Sequence, residues 1–333
     1  MRVAATGAEV AKPAPNVVQD ARRTRWIDIA KGLGIFFIVL GHSLSPGFWV
    51  SFVFLFHVPL FFFLSGYLHK PQPNLQQYLR KKAFYLLVPY AAFLIVYAAI
   101  QSFKIHRTDG SFPAAIENWL WGGTHLGGYF SIFWFISCLF LTQQLMNWLI
   151  VTLKPRALVL TVAAFLCASY LNATVFPFTL PLDANVVLAS SPFFLAGYAC
   201  RGFVLPRWVA VAAIAIAATA VVLIKLGISV SYDMKFGEYG IPLLSFVLSL
   251  GCIYSIILLS QFLQSVPLAS KFLTALGAAS MGIMYLHPLA LNRVRALPLN
   301  EWVIFVIALL ASWFVTMLLA AWTPTRMVFL GTR

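Results

Sequence analysis

Carboxylates are scarce in this chain: nine Asp and Glu stand against 23 Lys and Arg in 333 residues, and all charged residues together make up 10% of the sequence. Soluble domains carry about 25% charged residues. With 61% hydrophobic residues there is too little polar surface to cover a water-facing globule, so the apolar runs must face lipid. The same composition excludes intrinsic disorder and a collagen-like repeat. Cysteine is also rare, and Cys138, Cys167, Cys200 and Cys252 all fall inside apolar runs. They read as small core residues, which argues against a disulfide framework and a thiolate metal site. No internal repeat is evident, which weighs against an inverted-repeat transporter. The formal charge of +14 is not gathered into one stripe with interleaved aromatics, so no nucleic-acid partner is expected.

What is present is a succession of apolar segments. A hydrocarbon core of about 30 Å needs about 20 residues per helix, and ten segments compete for that role: Ile29–Ser45, Phe48–Tyr67, Ala83–Phe103, Tyr129–Leu153, Ala157–Phe176, Val186–Ala199, Trp208–Leu226, Ile241–Leu263, Phe272–Leu291 and Val303–Trp322. The expected fold class is therefore an all-α polytopic membrane protein, a bundle of about ten transmembrane helices with both termini cytoplasmic. The sixth segment is the shortest and contains Pro192. Residues 1–25 are polar, carry Arg22, Arg23 and Arg25, and lack a small-residue cleavage site, so they read as a cytoplasmic tail and not a signal peptide. Residues 26–323 form the membrane-embedded domain and 324–333 a second short tail. This topology places 16 of the 23 basic residues on the cytoplasmic side, as the positive-inside rule requires.

Ionisable residues inside spans are functional candidates by default. In the first span Asp28, Lys31, Gly34, Ile38, His42 and Ser45 recur at steps of three or four and so share one helix face. The eleven residues from Lys31 to His42 close within about 20° of whole turns and rise about 16 Å. Lys31 thus lies near the cytoplasmic surface and His42 deep in the bilayer. His57 in the second span and His287 in the ninth complete a set of three imidazoles, which suits a proton relay, a metal site or three separate packing contacts. No acidic or cysteine ligand accompanies them at metal-ligand spacing, so no metal is expected. Arg80, Lys81 and Lys82 serve as a topology signal and also suit phosphate recognition on the cytoplasmic face. Glu117 and His125 lie among Trp119, Trp121, Tyr129 and Trp134 on the external side, where such aromatics form either an interfacial belt or a carbohydrate-stacking surface.

The run from Arg25-Trp26-Ile27-Asp28 to Leu40-Gly41-His42, with Lys31 and His42 separated by ten residues, resembles the first span of the acyltransferase-3 family of integral-membrane O-acyltransferases. Phe56-His57-Val58-Pro59-Leu60 through Ser65-Gly66-Tyr67 is similar to that family's second motif, particularly in its sugar O-acetylase branch of fucose 4-O-acetylase-like proteins. Trp134-Phe135, Pro192 to Tyr198, and Gly277 to Ser280 with Tyr285-Leu286-His287 resemble later family motifs in the same order. The chain departs from the family where two arginines three apart usually precede the proline matched by Pro89; here Arg80, Lys81 and Lys82 are followed by Ala83 and Tyr85.

The resemblance implies a bacterial inner-membrane enzyme that moves an acetyl group from acetyl-CoA, a co-substrate and not a resident cofactor, to a sugar hydroxyl. The acceptor would be an exopolysaccharide, lipid-linked repeat unit or other cell-surface glycan, and a polysaccharide-assembly complex is a conceivable partner. Arg25, Lys31, Arg80, Lys81 and Lys82 would hold the donor phosphates. His42, seconded by His57 and His287, would act as general base or acyl carrier. Asp28, Ser65, Tyr67, Glu117, His125 and Ser280 are candidates for acceptor binding or oxyanion stabilisation. The competing expectation is a flippase or carrier for a lipid-linked sugar that makes no bond.

Overall fold

In hydrocarbon every backbone amide must find its partner within the protein, and the chain meets this condition with helices throughout. The computed structural model describes residues 15–108, 112–203 and 206–332, with side chains from Arg25 onward except at 104 and 106–108. Most of the expected amino-terminal tail, residues 1–14 and the side chains of Arg22 and Arg23, lies outside this description. The helices are α1 (Pro15–Ser43), α2 (Phe48–Phe54), α3 (His57–Tyr67), α4 (Leu75–Thr108), α5 (Phe112–Trp121), α6 (Phe133–Thr152) and α7 (Pro155–Thr174). They continue with α8 (Val187–Ala199), α9 (Arg207–Lys225), α10 (Leu244–Leu263), α11 (Pro267–Ala278), α12 (Ser280–Val294), α13 (Glu301–Ala321) and α14 (Thr323–Leu330). Among the described residues the only β pairing is an isolated bridge between Asp233 and Glu238.

Among the described residues eight helical stretches are long and apolar enough to cross a membrane, and α11 with α12, bent by 78°, counts as a ninth if the pair is one span, against about ten expected. The sixth expected segment is α8, whose 13 residues rise only about 20 Å. A 3-10 turn, Pro181–Val186, occupies the position where further helix would be needed. Eight of its residues are buried, including Ser190, Ser191, Pro192, Phe193 and Phe194. It is a core helix enclosed by its neighbours, and so its length is not set by the bilayer. At the other end of the chain the segment expected as a tail forms α14, which folds back on α4 with Phe329 5.1 Å from Phe93, ring to ring.

Two tight crossings fix the bundle. Where α1 meets α11, Gly32 lies against the carbonyl of Leu273 and Gly277 against the carbonyl of Asp28. Where α3 meets α8, Gly66 lies against the carbonyl of Phe194 and Gly197 against that of Phe63. Lipid tails are as apolar as leucine, so helices associate through close packing of this kind and through buried polar contacts. Thr142 and Ser190 supply one such contact between α6 and α8, with hydroxyl oxygens 2.6 Å apart. Behind α12 an aromatic core of Phe93, Tyr97, Phe133 and Tyr285 holds the helix in place. The Phe93 and Tyr285 rings stack at 4.4 Å, and the Tyr97 hydroxyl donates to the Tyr285 carbonyl at 2.8 Å.

The crossings predict a sharp contrast between glycines. Gly66→Ala drives a methyl group into backbone and should lower stability by about 1–3 kcal/mol. Gly127→Ala, at a position with ordinary φ of −101° and no atom within 4 Å of the new Cβ, should leave the thermal midpoint in detergent unchanged. Equal midpoints for the two variants would contradict the packing described.

Candidate active site

The polar face of α1 carries one pocket at each end. At the end marked by Lys31 a cavity of about 330 Å³ is lined by Lys31, Phe61, Ser65, His69, Lys70, Tyr78, Lys81, Lys82 and Gln143, among others. Its wall is the connection after α3, which is tied down on two sides. Gln72 and Asn147 exchange hydrogen bonds, amide N–H to Oδ1 at 2.9 Å and Nδ2 to carbonyl at 3.0 Å. Arg201 donates to the His69 carbonyl at 2.6 Å. Gln143 donates to Ser65 at 2.8 Å, which fastens α6 to α3 beneath the pocket. Lys31 pairs with Asp28 at 3.3 Å, both side chains part-exposed. An exposed pair of this kind is worth about 0–1 kcal/mol, so an anionic ligand can take Lys31 over at little cost.

About 16 Å further along α1 a second cavity, of about 460 Å³, is lined by Ile38, His42, His57, Trp134, Phe135, Tyr232, Asp233 and Lys235, among others. An adjoining hollow of about 170 Å³ is lined by His42, His287, Ser131, Asn292 and Arg295. His42 faces both. Its ring centre lies 5.4 Å from that of His287 and 6.1 Å from that of His57, so the three imidazoles form one cluster built from α1, α3 and α12.

Local chain breaks orient the two flanking rings. The second span is interrupted at Leu55 and Phe56, so His57 opens α3, and its Nδ1 sits 2.8 Å from the Val53 carbonyl. The Nδ1 of His287 sits 3.0 Å from the Ile283 carbonyl. A carbonyl oxygen only accepts, so each Nδ1 carries the proton and each Nε2 offers a lone pair. His42 is held from the end of its helix: its carbonyl accepts from Arg295, and Glu301 accepts from the Ser45 amide at 3.0 Å and from the Ser45 hydroxyl. These contacts satisfy the carbonyl and turn left open at the carboxyl end of α1.

The structure sorts the sequence candidates. His42, His57 and His287 come together. Lys31, Lys81 and Lys82 share the basic pocket, whereas Arg25 is exposed on α1 and Arg80 lines an adjoining surface groove with Gln77, Lys81 and Tyr85. Asp28, Ser65 and Tyr67 all belong to the basic end. Asp28 is paired with Lys31, Ser65 with Gln143, and Tyr67 packs edge-on to Trp26 at 5.1 Å. A tetrahedral centre beside His42 is out of their reach. Ser280 begins α12 at its bend, seven residues and about 10 Å from His287. Glu117 and His125 are exposed, His125 lying against Trp121 at 5.3 Å, and neither lines the histidine cavity. Among the described residues no group of three His, Cys, Asp or Glu suited to holding an ion occurs.

Several site residues escaped the sequence reading. Lys235, Arg295, Asp233 and His69 are not among its candidates. Asp233 and Lys235 lie on a loop between helices, where no periodicity signals a face. His69 had a local signal, an imidazole beside Lys70 immediately after the second span.

A family model described as an acyltransferase domain matches residues 24–321, nearly the whole chain, and the protein belongs to that acyltransferase-3 family of membrane acyltransferases. No curated protein and no solved structure matches the chain significantly.

His69 generates a test of the basic pocket. Burial pushes its pKa down to about 4, assisted by Lys82 and Arg201. Its Nδ1 faces the Tyr78 hydroxyl at 3.4 Å, and its Nε2 has no partner among the described residues. The folded protein keeps this imidazole neutral, while the unfolded chain takes up a proton near pH 6.5. Its contribution to stability is therefore complete above pH 6.5 and is lost as pH falls toward 4. Thermal midpoints of the wild type should drop across this window more steeply than those of His69→Gln; parallel curves would show that His69 titrates normally.

Proposed function

We propose that this membrane acyltransferase moves an acetyl group from acetyl-CoA, bound at the basic pocket, to a sugar hydroxyl bound in the histidine chamber. The observation that carries this reading is the arrangement of both pockets along the same three helices. Lys31 and His42 lie on one face of α1, Ser65 and His57 on α3, Gln143 and Phe135 on α6. Coenzyme A carries its phosphates at one end and its thioester on a long thin arm. A cationic mouth that opens toward a nucleophile-activating cluster one arm's length away matches that shape. In the positive-inside topology the basic end faces the cytoplasm, where acetyl-CoA is made, and the histidine chamber faces outward.

In this reading the phosphates lie among Lys31, Lys81 and Lys82, and the arm passes along the polar face of α1. The acceptor hydroxyl oxygen attacks the thioester carbonyl while the lone pair of His42 takes its proton. The rings of His57 and His287 flank His42 as it takes up the proton. Collapse of the tetrahedral centre breaks the C–S bond, and the thiolate recovers the proton from His42, leaving an ester and free coenzyme A. Trp134 and Phe135 in the chamber wall offer aromatic faces to a sugar ring. The acceptor class is a cell-surface glycan of a bacterium: an exopolysaccharide, a lipid-linked repeat unit or a related polymer.

Two measurements test the proposal. With purified protein and labelled acetyl-CoA, His42→Ala should remain folded and membrane-inserted yet lose at least about 100-fold in transfer; near-normal turnover would overturn its role. Lys82→Ala should raise the donor KM about tenfold through loss of a charge-assisted phosphate contact with little change in kcat. In cells, loss of the gene should remove acetyl groups from an otherwise normal polymer. Loss of polymer export with acetylation intact would favour a carrier instead.

A further inference from the structure

The loop between α9 and α10 supplies a cation that the mechanism above has not used. It is a built structure: the Tyr232 amide donates to the Phe54 carbonyl at 3.3 Å, and the Tyr232 ring is buried between Phe193 and Tyr239, 5.3 Å and 5.1 Å away. The Lys235 amide donates to the Asp233 carboxylate at 3.1 Å, and the Glu238 amide closes the turn onto the Asp233 carbonyl at 3.0 Å. The result is that Lys235 is delivered to the wall of the same cavity that His42 and His57 line.

Three features separate this lysine from a topology charge. First, it is the one cationic side chain among the described residues that line that cavity; Arg295 lines only the adjoining hollow. Second, its Nζ makes a single hydrogen bond among the described residues, to the Leu126 carbonyl at 3.1 Å. The ammonium also lies over the Phe236 ring, 5.2 Å from its centroid; of its three N–H donors, one goes to the carbonyl and one faces the ring, which leaves a third for whatever occupies the chamber. Third, its surroundings are those of an interior group: burial draws its pKa below the usual ammonium value, and the charges of Asp183 and Asp233 oppose that only in part. An ammonium partly stripped of water, held by a carbonyl and with two carboxylates nearby, is an expensive arrangement that surface lysines do not need.

We propose that Lys235 is a catalytic residue, the cation that stabilises the oxyanion of the tetrahedral intermediate formed beside His42. The proposal rests on the acyl-transfer reading. As the acceptor oxygen bonds to the thioester carbon, the carbonyl π electrons move to oxygen. Lys235 donates to that oxygen until the electrons return and the C–S bond breaks. The chamber lining is otherwise dominated by Ile38, Phe54, Val58, Trp134 and Phe135, and in such low-dielectric surroundings a fixed donor to a developing charge is worth about 10²–10³ in rate.

Because water can replace the sugar, the test needs no knowledge of the acceptor: purified full-length protein, acetyl-CoA as donor, and release of acetate and free coenzyme A as readout. Lys235→Met and Lys235→Gln should lose about 10²–10³ in kcat with donor KM and thermal midpoint unchanged, while Lys235→Arg retains a substantial part. Methylammonium should restore turnover to Lys235→Ala in proportion to its concentration and do nothing for His42→Ala. Wild-type turnover in Lys235→Met, or equal loss in the Arg variant without amine rescue, would reduce Lys235 to a tether for the Leu126 segment. If the wild type binds acetyl-CoA but neither cleaves it in water nor acetylates any of a panel of added sugars and lipid-linked glycans, the acyl-transfer reading falls and this inference with it. Wild-type cleavage alongside an active Met variant removes the inference alone.

Discussion

A helix that carries Lys31 at one end and His42 about 16 Å along the same face cannot stand against lipid, and the architecture follows from that constraint. Each of these side chains would be costly in hydrocarbon, so α1 is wrapped on its polar face by α3, α6 and α12 and anchored on its small-residue side by α11. The glycine crossing at Gly32 and Gly277 sets the depth of Lys31, and the contacts of Arg295 and Glu301 at the other end set the position of His42. The same helix therefore fixes both pockets, and their separation is a helical rise rather than a matter of loop geometry.

Irregular backbone is placed where the chemistry needs it. The break at Leu55 and Phe56 makes the Val53 carbonyl available to the His57 ring, and the bend between α11 and α12 starts the helix that presents His287. In a membrane such breaks are tolerated only where they are enclosed by protein or line a cavity. Here each one brings a helix terminus, or a helix that follows it, to the edge of the histidine chamber. Fixing Nδ1 as the donor on both flanking rings settles their protonation geometry before any substrate arrives, and such preorganisation removes one reorganisation step from the reaction.

Much of this was legible in the chain. The spacing of Lys31 and His42 placed both on one face, and the apolar runs placed α6, α7, α9, α10 and α13 within a few residues, whereas α1 and α4 begin 14 and 8 residues earlier than their apolar runs. What the runs could not reveal was enclosure. Val187 to Ala199 is as apolar as a membrane span, yet α8 is surrounded by protein, and hydropathy does not distinguish burial in protein from burial in lipid. The sorting of Ser65, Tyr67 and Asp28 to the basic end also needed the direction in which each span runs. The second span returns toward the end from which α1 departs, so its later residues lie beside Lys31 while His57 lies beside His42. Loop residues carry no periodic signal, and Asp233 and Lys235 enter the chamber through tertiary contacts alone.

The two pockets approach one another without merging. Phe61 lines the basic cavity and Phe135 lines the histidine cavity, and their rings lie 6.0 Å apart. Gly34, on the polar face of α1, leaves the hollow that the Phe61 ring fills. A wide channel at this level would let water and ions follow the helix face from one side of the membrane to the other. An aromatic lip, formed by the Phe61 and Phe135 rings, stands between the cavities in place of such a channel, and the proposed reaction requires these side chains to turn aside for a thin arm. Under the proposed reaction the acyl group crosses this lip as part of a thioester, and the phosphates never leave the cationic mouth. In that reaction the polar groups of α1 would be divided between holding the donor at Lys31 and activating the acceptor at His42, with the bilayer kept sealed between them.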